Sequence, residues 1–146
     1  MDTQGLEIIS IETFKVPPRW LFLKLTTRSG LVGWGEPVVE GKAATVEMAI
    51  KEMSSFLVGH PANKIEDFWQ LIYRGGFYRG GPVLMSALAG IDQALWDIKG
   101  KRAGMPVYQL LGGKCRFGID CYAHGRGNTE GELVESVQGH IANGFR

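Results

Sequence analysis

One segment limits the folds open to this chain more than any other: PVLMSALAGIDQALWDIKGKRA, from Pro82 to Ala103. Leu84, Leu88, Ile91, Leu95 and Ile98 recur at three- and four-residue steps, the spacing of one face of a helix. Ala87, Ala89, Gly90 and Ala94 lie among them and let a neighbour approach closely. Pro82 suits a first helical turn, where its missing N–H has no partner to lose. Gly104 and Pro106 end the run. A helix with so broad an apolar stripe has to be covered, so the chain must build a core around it.

The residues ahead of it supply the cover. Leu6 to Val16 is rich in β-branched and apolar residues and stops at Pro17-Pro18. Trp20 to Thr27 alternates, with Leu21, Leu23 and Leu25 on one side and Trp20, Phe22, Lys24 and Thr26 on the other. Arg28-Ser29-Gly30 is a turn. Leu31 to Val39 runs back, and Gly33 and Gly35 mark a place where something comes close to the backbone. A three-stranded antiparallel meander is therefore expected. Helices follow at Ala43 to Leu57, with Val46, Ile50, Met53 and Leu57 inward, and at Ile65 to Tyr73. Strands first and helices afterwards give an α+β arrangement.

The last thirty residues differ. Gly118 to Ala123 reads as a short strand. Thr129-Glu130-Gly131-Glu132 is a capping box opening a helix whose Leu133, Val134, Val137 and Ile141 face inward. Asn143-Gly144 stops it, and Phe145-Arg146 would begin the next strand. One strand plus one helix is the repeating unit of a parallel α/β fold. The expected organisation is an α+β domain over residues 1–113, then the first βα unit, 114–146, of an incomplete TIM-like (β/α) barrel.

Composition removes several function classes. A net charge of +1 over 146 residues gives no basic footprint for nucleic acid. No apolar run approaches the ~20 residues of a membrane span, and MDTQGLEIIS lacks the pattern of a signal peptide. Cys115 and Cys121 make neither a disulfide framework nor a zinc set, and read as free thiols of a reducing compartment. A cytoplasmic protein is expected.

Few motifs carry chemistry. Tyr73-Arg74-Gly75-Gly76 and Tyr78-Arg79-Gly80-Gly81 are a near repeat that resembles an RNA-stacking segment. Only two copies occur, between apolar flanks, so a tight loop between helices is the better reading. Gly41-Lys42 fails as a phosphate loop, because five residues separate Gly35 from Gly41 and Ala43 stands where Ser or Thr is needed. Asp97 and Lys101, one turn apart, suit a surface ion pair. His124 follows Asp120 and Tyr122 on one face of the expected strand, at the end where barrel folds build their sites.

ALWDIKGKRAGMPVYQLLGG (Ala94 to Gly113) resembles the enolase superfamily, mandelate racemase/muconate lactonizing subgroup. WLFLKLTTRSGLVGWGEPVVEG and the glycine-arginine loop resemble the capping domain of its galactonate-type acid-sugar dehydratases, and Cys115 to Arg146 resembles the opening of their barrel. The resemblance implies Mg²⁺-assisted removal of an α-proton from a sugar acid such as D-galactonate, followed by loss of the 3-hydroxyl as water. A lysine or histidine base with Mg²⁺ is this superfamily's standard example of such chemistry. It further implies a homo-oligomer, with metal carboxylates and catalytic acid and base on later barrel strands beyond Arg146, so residues 1–146 are expected to be inactive alone. The capping domain supplies two loops that close over substrate, here Pro17–Trp20 and Glu36–Lys42. Arg19 would meet a carboxylate or hydroxyls, Trp20 would wall the site, and Glu40 would accept hydrogen bonds from sugar hydroxyls. The YxHxxG at Tyr122–Gly127 instead resembles mannonate-type enzymes, in which the matching histidine, here His124, touches substrate. The alternatives are a mannonate- or gluconate-type dehydratase and a non-catalytic capping module that binds another chain.

Overall fold

The computed structural model describes residues 4–145. The chain divides into two compact units, Met1–Gly113 and Lys114–Arg146. In the first, strands β1 (Ile8–Val16), β2 (Trp20–Thr27) and β3 (Val32–Gly35) form an antiparallel meander in the order β1-β2-β3. Helices α1 (Ala43–Met53), α2 (Ile65–Arg74), α3 (Pro82–Ala103) and the short α4 (Val107–Leu110) follow. The second unit contains α5 (Glu130–Ala142).

Alternation in β2 places Leu21, Leu23 and Leu25 wholly inside. Thr27 continues that row and is also buried. Its hydroxyl donates to the Leu31 carbonyl at 3.2 Å, so its burial leaves no bond unmade. A β-bulge between Ile8 and Ser10 shifts the phase of β1, putting Ile8 in the core and Ile9 in solvent. Leu21, Leu23 and Leu25 join Val46 and Ile50 of α1 with Ile91, Leu95 and Ile98 of α3 in one core.

α3 begins at Pro82 and is capped by Gly104, whose φ of 65° is the left-handed conformation glycine adopts freely. Its buried residues include Ala87, Leu88, Gly90, Ile91, Ala94, Leu95 and Ile98. Ala89, expected among the close-packing residues, is exposed.

The contact between α3 and β3 is made by backbone. A Cβ on Gly33 would lie 2.0 Å from the Ala94 carbonyl oxygen, and one on Gly35 1.9 Å from that of Gly90. Beside this contact, three α3 side chains four residues apart occupy outward-pointing backbone groups of β3 and of Glu36, the residue after it. Gln93 Oε1 accepts the Glu36 N–H at 2.8 Å, and Asp97 Oδ2 accepts the Trp34 N–H at 2.9 Å. Lys101 Nζ donates to the Val32 carbonyl at 2.8 Å and to Asp97 at 2.7 Å. The expected Asp97–Lys101 surface pair thus exists and also closes a sheet edge, which would otherwise offer free donors and acceptors.

Two elements end earlier than expected, and a third does not form. β3 stops at Gly35 because Pro37 has no N–H for a ladder and its ring lies on Gly90. α1 gives way to a 3₁₀ turn, Ser54–Phe56, where the Ser54 hydroxyl donates to the Lys51 carbonyl at 2.7 Å and competes with helical bonding. In the second unit, no hydrogen-bonded strand forms over Gly118–Ala123 among the described residues. A strand of a parallel sheet takes its backbone partners from neighbouring strands, and Lys114–Arg146 provides none. The further strand expected at Phe145-Arg146 falls partly outside the described residues.

The capping box is present at α5. Thr129 Oγ1 accepts the Glu132 N–H at 3.3 Å, and Glu132 reaches back to the Asn128 N–H at 2.7 Å rather than to Thr129. Leu133, Val134, Val137 and Ile141, expected to face inward, are exposed, Ile141 by 62%. They form a stripe that no element of their own unit covers.

Two outcomes follow. Gly35→Ala must push α3 off β3, and urea denaturation is expected to show a loss of about 3 kcal/mol; a loss within the scatter of surface substitutions would contradict the backbone contact. Limited proteolysis is expected to cut between Gly112 and Gly127 before it cuts inside Met1–Gly113. Equal resistance of both units would contradict the division.

Candidate functional site

At one end of the sheet, the β1–β2 turn and the segment after β3 emerge side by side. The turn is tight, with a cis Pro17-Pro18 bond and the Val16–Trp20 pair closing the ladder. It leaves Arg19 at the tip. The second segment, 36–42, folds back on itself through a Lys42 N–H to Val39 carbonyl bond of 2.9 Å, with Gly41 at φ 72°. Glu40 is held at that bend.

The Arg19 guanidinium bonds the Glu40 carboxylate and lies 4.8 Å from the centre of the Trp20 ring. Three of the four residues expected at a site therefore share one cluster. Both charged side chains are substantially exposed, at 48% for Arg19 and 67% for Glu40. An ion pair in that setting contributes at most about 1 kcal/mol. Its bond to Glu40 is made through Nη1, leaving further donors of the planar fork to face a ligand carboxylate or hydroxyls. Trp20 offers a flat apolar wall, and Glu40 offers acceptors for hydroxyl groups.

His124 belongs to the second unit. It is exposed, its ring meets Tyr122 edge-on at 5.0 Å, and its carbonyl lies 3.1 Å from His140 Nε2. The adjacency of Tyr122 and His124 agrees with their two-residue spacing. Among the described residues, no three His, Cys, Asp or Glu side chains gather as a cation site. Glu40 is a single carboxylate already paired with Arg19, so the described residues do not fit a magnesium ion.

The glycine-arginine loop is a connector between α2 and α3. Arg79 bonds the carbonyls of Gly76 and Arg74, at 3.3 and 3.4 Å, and so folds the loop over itself. Phe77 and Tyr78 point outward. Gly90 was expected to allow close packing and does so against Pro37, whereas sequence reasoning missed Gln93 and Pro37 as supports of the second loop. No local signal singles out Gln93, because Ser86, Asp92, Lys99 and Arg102 are also polar along α3.

One carboxyl lies away from this cluster. Asp92 of α3 is half-buried against α2 beside Phe68, Trp69 and Ile72. Burial raises its pKa, and the nearby Glu66 carboxylate raises it further. Between the ordinary aspartate range and this raised value, the folded state binds the proton more tightly, so stability falls as pH rises through that window. Asp92→Asn is expected to raise the melting temperature at neutral pH, with the gain vanishing below the ordinary aspartate range. A gain independent of pH would contradict this.

A three-stranded antiparallel meander followed by a helical layer is the N-terminal architecture of one enzyme class. The chain belongs to the mandelate racemase / muconate lactonizing enzyme family, whose N-terminal domain its residues 7–112 match. Among its relatives, the D-galactonate dehydratase of Pectobacterium atrosepticum is 54% identical over 140 residues, and that of Ralstonia nicotianae 52% over 140 residues. Each match takes in 96% of this chain and 37% of the relative, so the chain spans little more than a third of their length. An enolase from Pantoea ananatis with bound D-gluconate and magnesium superposes with a TM-score of 0.85 at 42% identity, over 95% of this chain and 35% of that one. A dehydratase-like protein from Mesorhizobium loti gives a TM-score of 0.86 at 32% identity, over 96% and 40%. Among the described residues no helix is long and apolar enough to cross a membrane.

Proposed function

We propose that this chain forms the substrate-covering part of an acid-sugar dehydratase that converts D-galactonate to 2-dehydro-3-deoxy-D-galactonate and water. In this reading Met1–Gly113 is the capping domain and Lys114–Arg146 opens the barrel of a cytoplasmic homo-oligomer. The observation that carries it is the cluster of Arg19, Trp20 and Glu40 joining the two sheet-end loops, in a chain half identical to D-galactonate dehydratases.

The residues of this chain bind and shield; they do not transfer protons. An aldonate is a polyhydroxylated chain with one carboxylate. Arg19 matches its anionic end or its hydroxyls with parallel N–H donors. Glu40 accepts from hydroxyls, and Trp20 excludes water from one side, which strengthens every charge interaction made inside the covered site. Mg²⁺ is the cofactor of the whole enzyme in this reading, held by residues outside this chain, and it would acidify the α-proton of the bound acid. In this reading His124 is a further substrate contact.

Residues 1–146 alone are expected to give no turnover with excess magnesium; keto-deoxy product would overturn this. A chimera carrying residues 7–146 in place of the matching segment of the Pectobacterium enzyme is expected to dehydrate D-galactonate. In it Arg19→Ala should raise KM roughly ten- to a hundredfold, the effect of losing a charged hydrogen bond, and an unchanged KM would remove Arg19 from the site. His124→Trp should shift the ratio of kcat/KM for D-galactonate over D-mannonate; a constant ratio would remove His124.

A further inference from the structure

Segment 36–42 is not held at its root by the sheet. The last β2 pairing is Leu23 with Gly35, and beyond it the chain depends on α3. Gln93 Oε1 accepts the Glu36 N–H at 2.8 Å. One turn earlier, the Pro37 ring covers Gly90, where a Cβ would lie 2.4 Å from Pro37 Cβ. Gly90 also sets its carbonyl against Gly35. The turn Gly90–Gln93 is thus a platform gripping three consecutive residues, of which Glu36 and Pro37 lie outside the ladder.

At the β1–β2 turn, Glu47 of α1 holds the β1 stem by accepting from Thr13 Oγ1 and Lys15 Nζ, both at 2.8 Å, but the bend Pro17–Arg19 lies beyond it. The tip of the turn is joined to its neighbour through the Arg19–Glu40 ion pair. The two loops are therefore unequal, one seated on the core helix and the other tied by a side chain to the seated one. We infer that Gln93 is a positioning residue: by fixing Glu36 it sets where Glu40 stands, and through Glu40 it sets where the Arg19 guanidinium stands toward a sugar acid. This rests on the reading that Arg19 and Glu40 face substrate.

The chemistry of the contact makes the role separable from a structural one. Gln93 and Glu36 lie at an exposed edge, so water can satisfy the Glu36 N–H when the acceptor is removed, and the fold loses little. The neighbouring bonds of Asp97 to Trp34 and of Lys101 to Val32 hold β3 within its ladder. Gln93 alone of the three bonds a residue past the end of β3, so its loss frees the loop and not the strand.

Gln93→Leu keeps the volume and removes the acceptor; Gln93→Glu keeps an acceptor oxygen. In the 146-residue chain, the ¹⁵N–{¹H} NOE of Val38 to Gly41 should fall in Gln93→Leu, hold in Gln93→Glu, and leave the melting temperature nearly unmoved. In the chimera with the Pectobacterium enzyme, KM for D-galactonate should rise roughly two- to tenfold in Gln93→Leu, the range for one hydrogen bond, with kcat moving less than KM, and should return in Gln93→Glu. An unchanged NOE in Gln93→Leu overturns the inference. Loosened loop amides with unchanged KM overturn instead the reading that this loop faces substrate. Failure of Gln93→Glu to restore both would make the contact one of packing and remove Gln93 from the role.

Discussion

Everything distinctive about this fold depends on how closely helix α3 lies on strand β3. Helices normally rest on sheets through side chains, which hold the layers apart. Here Gly33 and Gly35 present bare backbone to the carbonyls of Ala94 and Gly90, and any Cβ would stand about 2 Å from an oxygen. That approach brings Asp97 and Lys101 within reach of the outward backbone groups of β3, and Gln93 within reach of Glu36 just past it. A four-residue strand at a sheet edge has few ladder bonds of its own. The helix supplies the rest, and the sheet needs no fourth strand.

The same contact explains how a small meander can carry a site. Loops at the end of a three-stranded sheet inherit the mobility of the strand ends. Seating Glu36 and Pro37 on α3 transmits the rigidity of the core to the segment bearing Glu40. The ion pair with Arg19 adds little stability because both partners face solvent. It adds definition, placing a cation, a carboxylate and an indole face together. An exposed pair of this kind is also easily re-partnered, which suits the sugar-acid contact proposed for it.

Much of this was legible in the sequence, and the exceptions have physical causes. β2 declared itself because burial on one face enforces strict alternation, and α3 because Pro82 and Gly104 mark its ends. Gly33 and Gly35 announced a close approach without saying to what. The bulge at Ile8–Ser10, the 3₁₀ turn at Ser54 and the early end of β3 are set by competing hydrogen bonds or by packing with distant residues, which a local pattern does not display. Arg19, Trp20 and Glu40 came from likeness to a family, and the structure brings them together. Gln93 was invisible because its partner is a backbone N–H fifty-seven positions away. In the second unit the apolar stripe of α5 was read correctly as a helix face, but apart from the Gly125 backbone against Leu133 and Val137 it stays exposed.

Native-state hydrogen exchange at the Trp34 amide tests the central claim most directly. Trp34 is in a sheet-edge strand, its N–H points away from β2, and its acceptor is the Asp97 carboxylate of α3. If α3 completes the sheet, this amide exchanges only when the whole unit unfolds, with the same opening free energy as the Leu23 amide in the central strand. Exchange at Trp34 through a local opening, while Leu23 and the amides of α3 stay protected, would contradict the account.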